Sequence, residues 1–202
     1  MYYLVAPELQ FNLCKLMAQK DGEEWKNMSE QMCSPHPRTL EHEGLSLAPM
    51  NRARMHEYFR YFIPDPGLFL DPAECRPFSY DAAWVDAFFD ARQRRGDCVF
   101  FAILLEGAVI GDVGIKHVDP ERASGELTIH LTHDGVKNRG FGTWAEGRML
   151  EYAFEHLKLQ TVTADAVLTN GRSQHVLEKL GFHQSGEDES FRYYQLKRED
   201  FI

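Results

Sequence analysis

The sequence predicts a mixed α/β fold: a mostly antiparallel sheet that ends in a β-α-β crossover. Three observations predict it. Two apolar runs in "CVFFAILLEGAVIGDVGIKHV", residues 98–118, meet at Glu106-Gly107, a hairpin signal. "GELTIHLT", 125–132, alternates: Leu127, Ile129 and Leu131 share one side, and Glu126, Thr128 and His130 the other. A helical pattern then separates that strand from a further one, "LQTVTADAVL".

The elements follow in order. "LSLAPM", 45–50, reads as a short strand, and Asn51 caps a helix over "RARMHEYFRYF" that Pro64 ends. Residues 63–78 hold four prolines and form a long irregular loop, a common place for lids and substrate walls. Ser79 is the expected cap, and Gly96 the stop, of a helix over "SYDAAWVDAFFDARQRRG". After the three central strands, Ala145, Met149, Tyr152 and Ala153 share a helix face. "GRSQHVLEKL" is a short helix closed by Gly181, and "FRYYQLKRE" a last strand. The predicted order from residue 45 is β-α-α-β-β-β-α-β-α-β.

Residues 1–43 differ. Leu9, Leu13, Leu16 and Met17 stand at helical spacing, as do Trp25, Met28 and Met32, before a Pro-interrupted linker, "SPHPRTLEHEG". They read as a helical extension packed on its own domain or on a partner subunit, and a homodimer is one expectation. The domain proper spans 44–202.

Bulk properties bound the function. The 202 residues suffice for one sizeable core. A net charge of -9 lacks the basic excess of a nucleic-acid binder, and suits a cationic substrate or simply solubility. No run approaches the roughly 18 apolar residues of a membrane span, and the N-terminus has no basic region before an apolar run. The four cysteines form no CxxC. A cytoplasmic protein with reduced thiols is expected.

The chemistry concentrates in two segments. In "VKNRGFGTWAEG", Lys137, Asn138, Arg139, Gly140, Phe141, Gly142 and Thr143 lead into a helix. Glycines before a helix N-terminus let unpaired N–H groups approach an anion, and Lys137, Arg139 and the Thr143 hydroxyl add to it. Alone, the loop is equally a glycine-rich turn. A dinucleotide fingerprint would place a third glycine where Ala145 stands, and the GK[ST] of a P-loop is missing. In "NGRSQHVLEKLGF", Asn170 ends a strand and Ser173 opens a helix, which read alone is a capped helix with a glycine stop.

Together, in this order and about 30 residues apart, the segments resemble the GNAT superfamily of N-acetyltransferases. That family carries Gln or Arg, two residues, Gly, one residue, then Gly or Ala between its fourth strand and third helix. An Asn, two residues, then Ser or Ala follows, with a "KLGF"-like helix end. The resemblance covers about 44–202, is strongest over 125–197, and lies toward the branch with ribosomal-protein N-terminal, spermidine and aminoglycoside acetyltransferases. It implies a V-shaped splay between the fourth and fifth strands that holds acetyl-CoA. The Leu131 and Thr132 backbone would meet the pantetheine arm, Lys137–Thr143 the pyrophosphate, and Asn170 the arm from the other side. Three departures stand out: Lys137 at the first loop position, Trp144 where a small or acidic residue is common, and Leu177 where many members carry a tyrosine acid.

The implied reaction is direct attack of an amine, small or a peptide N-terminus, on the thioester. It needs a base for the ammonium and a donor for the thiolate. Ser173 is the candidate donor, or only a helix cap. Glu126 is the candidate base, or a solvated strand-end carboxylate, with His130 as runner-up. His130 and His133 without a third ligand make no metal site, so no metal is expected. Phe69, Phe78, Tyr80 and Trp84 are candidate walls of the acceptor pocket, or core. The competing readings are a catalytically silent acyl-CoA-binding module and a nucleotide-binding protein.

Overall fold

The computed structural model describes residues 44–201. The extension expected over 1–43 lies outside the described residues. Seven strands form one sheet in the order β1-β2-β3-β4-β5-β7-β6. They are β1 (Leu45–Pro49), β2 (Val99–Leu105), β3 (Ala108–Asp119), β4 (Ser124–Leu131), β5 (Thr161–Val167), β6 (His183–Glu187) and β7 (Phe191–Lys197). Helices α1 (Arg52–Tyr61), α2 (Ala82–Arg94), α3 (Phe141–Glu155) and α4 (Gly171–Lys179) cover its two faces.

β2 shows why both faces need helices. Its run is apolar throughout, and pleating sends alternate side chains to opposite sides. Phe101 and Ile103 join the core under α3 and α4, with Met149, Leu150, Tyr152 and Leu177. Ala102 and the partly buried Phe100 and Leu104 join the smaller core under α1 and α2, with Met55, Phe59 and Val85. At the hairpin, Glu106 and Gly107 both take positive φ, 50° and 86°, as a two-residue turn that follows strand twist requires.

Asn51 caps α1 as expected, its side chain accepting from the Arg54 N–H at 2.9 Å. α2 begins later than expected. Asp81, not Ser79, accepts from the Trp84 N–H at 2.9 Å, because the extended chain turns only after Asp81. The 63–78 loop contains two single 3-10 turns, Pro66–Leu68 and Pro72–Glu74, each capped by an aspartate, Asp65 and Asp71.

β6 has no place of its own in the predicted element order, because "HQSGE" carries no apolar alternation. It pairs antiparallel with β7 at the sheet edge through its backbone, with four of its five residues exposed.

β4 and β5 run parallel and make the crossover through α3. Their pairing covers only Ser124–Glu126 against Thr161–Thr163. Beyond it a cavity of about 190 Å³ lies between Leu127–His130 of β4 and Ala164–Val167 of β5.

Candidate functional site

The gap between β4 and β5 presents unused backbone. Ala123 C=O accepts from the N–H groups of Gln160 and Thr161, at 2.7 and 3.2 Å, so odd-numbered residues turn their backbone toward β5. The Gly125 carbonyl accepts from Thr163 Oγ1 at 3.3 Å, on the same edge. Strand alternation carries this on to Leu127, Ile129 and Leu131, which face the gap. Thr132 faces the other way and corrects the expectation for it. Its N–H donates to Ile110 C=O at 2.9 Å, its hydroxyl to the same oxygen at 3.0 Å, and its carbonyl accepts from Ile63 N–H at 2.7 Å.

The glycine loop leads into α3, whose Glu146 lines the cavity. Gly140, at φ +81°, stands at the N-cap of α3 without a side-chain cap, so the first-turn N–H groups have no side-chain partner there. The left-handed turn is open to glycine at little cost. Asn138 before it is also left-handed, at φ 58°. A Cβ on Gly142 would make only ordinary contacts, with the Ile129 and Leu131 side chains at 3.8 and 3.9 Å. The Arg139 guanidinium sits 4.6 Å from the centre of the Phe141 ring, which is buried.

Lys137 is held inward. Its Nζ lies 2.5 Å from Asp65 Oδ2 and 2.8 Å from Asp134 Oδ1. Arg172, in the first turn of α4, reaches the same Asp65 oxygen at 2.8 Å. Burial pushes the Asp65 carboxyl up. Hydrogen bonds from Lys137 and the Gly67 N–H, and the charges of Lys137 and Arg172, outweigh it and hold the group below its usual range.

α4 supplies the opposite wall. Its cap is Asn170, whose side chain accepts from the Ser173 N–H at 3.2 Å. Ser173 is therefore not the cap. It lines the cavity with Asn170 and, one turn on, Leu177.

The polar face of the sheet carries the titratable groups. Glu126 is gripped on three sides: Lys116 Nζ at 2.7 Å, His117 Nδ1 at 3.0 Å, and a hydrogen bond shared with Asp165. Burial raises its pKa, but those partners outweigh it and hold it low. Asp165 moves the other way, up to about 6, from desolvation and from the Glu126 carboxylate beside it. Asp165 lines the cavity together with Lys116, Thr128 and His130. Desolvation lowers the His130 pKa. Asp112, with an oxygen 3.8 Å from Nδ1, opposes this, while the charges of Arg92, Lys116 and Lys137 add to it. Asp112 itself is buried and paired with Arg92 at 2.7 Å.

Glu146, which sequence reasoning passed over, also lines the cavity. It lies one turn beyond Gly142 on α3, so the two share a face. It is 4% exposed, and among the described residues its Oε2 has no hydrogen-bond partner. Burial alone pushes its carboxyl up to about 8.

The aromatic candidates divide. Phe78 packs on the smaller core and meets Phe59 and Phe62. Trp84 stacks on Phe88 yet is 46% exposed, and Tyr80 is exposed beside His56. Phe69 is half-buried. Among the described residues, no three His, Cys, Asp or Glu side chains come together as a metal-holding group, and no helix is long and apolar enough to cross a membrane.

Known proteins share this architecture. The crystal structure of a spermidine N-acetyltransferase from Vibrio cholerae in complex with CoA and spermine superposes with a TM-score of 0.65. The match is 16% identical and covers 79% of this chain and 99% of that one. The Campylobacter jejuni N-acetyltransferase PseH gives 0.59 at 18% identity, over 77% of this chain and 99% of that one. At these identities the likeness is one of fold. In sequence, "Putative ribosomal N-acetyltransferase YdaF" of Bacillus subtilis (strain 168) is 25% identical over 100 residues. That match covers 50% of this chain and 54% of the relative, about half the length of each. The family profile described as "Acetyltransferase (GNAT) domain" matches residues 36–183. On that match, and on a seven-stranded sheet opened between β4 and β5, the chain belongs to the GNAT acetyltransferase family.

Proposed function

We propose that the protein is an acetyl-CoA-dependent N-acetyltransferase that transfers the acetyl group directly to a primary amine. The observation that carries the reading is the β4–β5 cavity. It is lined by Glu146 of α3, the helix whose N-terminus has no side-chain cap, and by Asp165, which is coupled to Glu126.

In this reading acetyl-CoA enters as substrate. The first-turn N–H groups of α3, with Gly140, Phe141, Gly142, Thr143 and the preceding Asn138 and Arg139, hold the pyrophosphate. Lys137 joins them once Asp65 yields it. The pantetheine arm lies along the backbone of Ile129 and Leu131, as an added strand would, with Asn170 across from it. Ser173 offers a hydroxyl to the sulfur.

The base is the Glu126–Asp165 pair. Glu126 is held ionised by Lys116 and His117, so it is a weak proton acceptor. Asp165, with its pKa near 6 and its place in the lining, is the better one, and Glu126 tunes it. His130 is kept neutral beside them and serves to relay a proton through water.

The acceptor is a cationic amine. Asp188 and Glu189 line an adjoining hollow with Tyr193 and Phe191, and Phe191 also lines the main cavity. These carboxylates favour a substrate with several positive charges over a single peptide N-terminus. Incubation with acetyl-CoA and either spermidine or a short peptide tests both arms, with thiol release and product mass as readouts. A faster reaction with the peptide overturns the acceptor assignment. Tight acetyl-CoA binding with no thiol released from either would instead favour a silent acyl-CoA-binding module, which Leu177 in place of a tyrosine acid would suit.

A further inference from the structure

The reaction above leaves the departing sulfur without a proton source. Ser173 can hydrogen-bond a thiolate but does not readily surrender its proton, and Leu177 offers none. Resting on that reading, we propose that Glu146 is the catalytic acid, giving its carboxyl proton to the CoA sulfur as the thioester C–S bond breaks.

Three observations carry this. Glu146 lines the same cavity as Ser173, Asn170 and Leu177. It projects from α3 on the face of Gly142, whose Cβ position lies in contact distance of Ile129 and Leu131 of β4. Among the described residues its buried Oε2 has no hydrogen-bond partner, whereas the buried Asp112 and Gln174 on neighbouring elements are bonded. A buried carboxyl left half-satisfied is costly, and sites that do chemistry are where that cost persists. Burial favours the protonated form, which is the form an acid must start from. The other titratable groups lining the cavity are Lys116 of β3, His130 of β4 and Asp165 of β5.

The protons balance. The substrate ammonium first loses a proton to the Asp165–Glu126 pair, and thence to solvent, to become a neutral amine. Its nitrogen attacks the thioester carbon and loses a second proton to the same pair. The C–S bond breaks, its electron pair goes to sulfur, and sulfur takes the Glu146 proton. Amide and CoA thiol leave, the pair passes the second proton to solvent, and a solvent proton restores Glu146, so one proton is released per turnover.

The test compares wild type, Glu146→Gln and Glu146→Leu for kcat, for acetyl-CoA affinity and for the pH profile of kcat, with melting curves to establish folding. Loss of a general acid lowers kcat by about a hundredfold. The expected result for Glu146→Gln is a loss of that order, with acetyl-CoA affinity within a few-fold of wild type. The fall in kcat above about pH 8, expected in wild type as the acid ionises, disappears in this variant. Wild-type kcat in folded Glu146→Gln or Glu146→Leu, or an alkaline fall that survives in Glu146→Gln, overturns the acid role. Wild-type protein that binds acetyl-CoA yet releases no thiol from any amine overturns the proposed function itself, and the acid role with it.

Discussion

Lys137 and Asp65 are 72 residues apart in the chain, and their Nζ and Oδ2 atoms lie 2.5 Å apart. Asp65 sits in the proline-rich loop, Lys137 in the glycine loop, and Arg172 of α4 shares the same carboxylate. One aspartate thus holds a cation from the glycine loop and one from the first turn of α4.

If the pyrophosphate of CoA uses those cations, Asp65 competes with it. Asp65→Asn should tighten CoA binding by about fivefold, roughly 1 kcal/mol, measured by calorimetric titration. The same change removes a charge-assisted partner from a largely buried lysine and should lower stability by about 1–2 kcal/mol in urea unfolding. Weaker CoA binding in this variant would show that Asp65 positions Lys137 rather than competing for it.

Gly142 separates the cradle from the fold. Its Cβ position meets only ordinary contacts, so Gly142→Ala should fold and melt like wild type. Gly142→Trp should stay folded and lose at least tenfold in CoA affinity, because the indole crowds the first turn of α3. Gly140→Ala should cost about 1–2 kcal/mol of stability through its left-handed φ of 81°. Equal CoA affinity in Gly142→Trp and wild type would remove the loop from the binding site.

The Arg92–Asp112 pair anchors the polar face. Asp112 is buried, and Arg92 also lies over the Phe100 ring, 3.3 Å from its centre. Arg92→Met leaves a buried carboxylate without its cation and should destabilise by about 3 kcal/mol in denaturant unfolding. Adding Asp112→Asn to Arg92→Met should recover part of that loss. No recovery would place the cost in the packing of the Arg92 stem.

Glu146 makes stability depend on pH. Its folded pKa, about 8, lies above the ordinary value of 4.5 that the unfolded chain has. The folded state therefore holds the proton across that window while the unfolded state releases it. Stability from this group is intact below about pH 4.5 and falls as pH rises toward 8, by up to about 1.4 kcal/mol per pH unit. Glu146→Gln should flatten that slope and be more stable than wild type at pH 8. Parallel slopes in urea unfolding at pH 5, 6.5 and 8 would contradict the burial of an ionisable group there.

Most of the fold was legible because its signals are local. Apolar runs marked β2 and β3, alternation marked β4, Glu106-Gly107 marked the hairpin, and Asn51 marked the start of α1. β6 escaped because an exposed edge strand held by backbone bonds leaves no apolar pattern in "HQSGE". The loop and α4 were readable as motifs, but the Asp65 contact joins residues no local pattern connects. Asp165 has no local mark in "LQTVTADAVL", because its raised pKa comes from burial and from Glu126 on the neighbouring parallel strand. Glu146 carried a faint signal: it falls beside Ala145 and Met149 on a helix buried nearly all round, where a carboxylate has no reason to sit.

Acetyl-CoA turnover in the presence of amines tests the central claim most directly. Thiol release should depend on the amine, be fastest with a polyamine, and match acetylated amine mole for mole by mass spectrometry. Acetyl-CoA bound with no thiol released, or thermal protection by ATP but not by CoA, would contradict it.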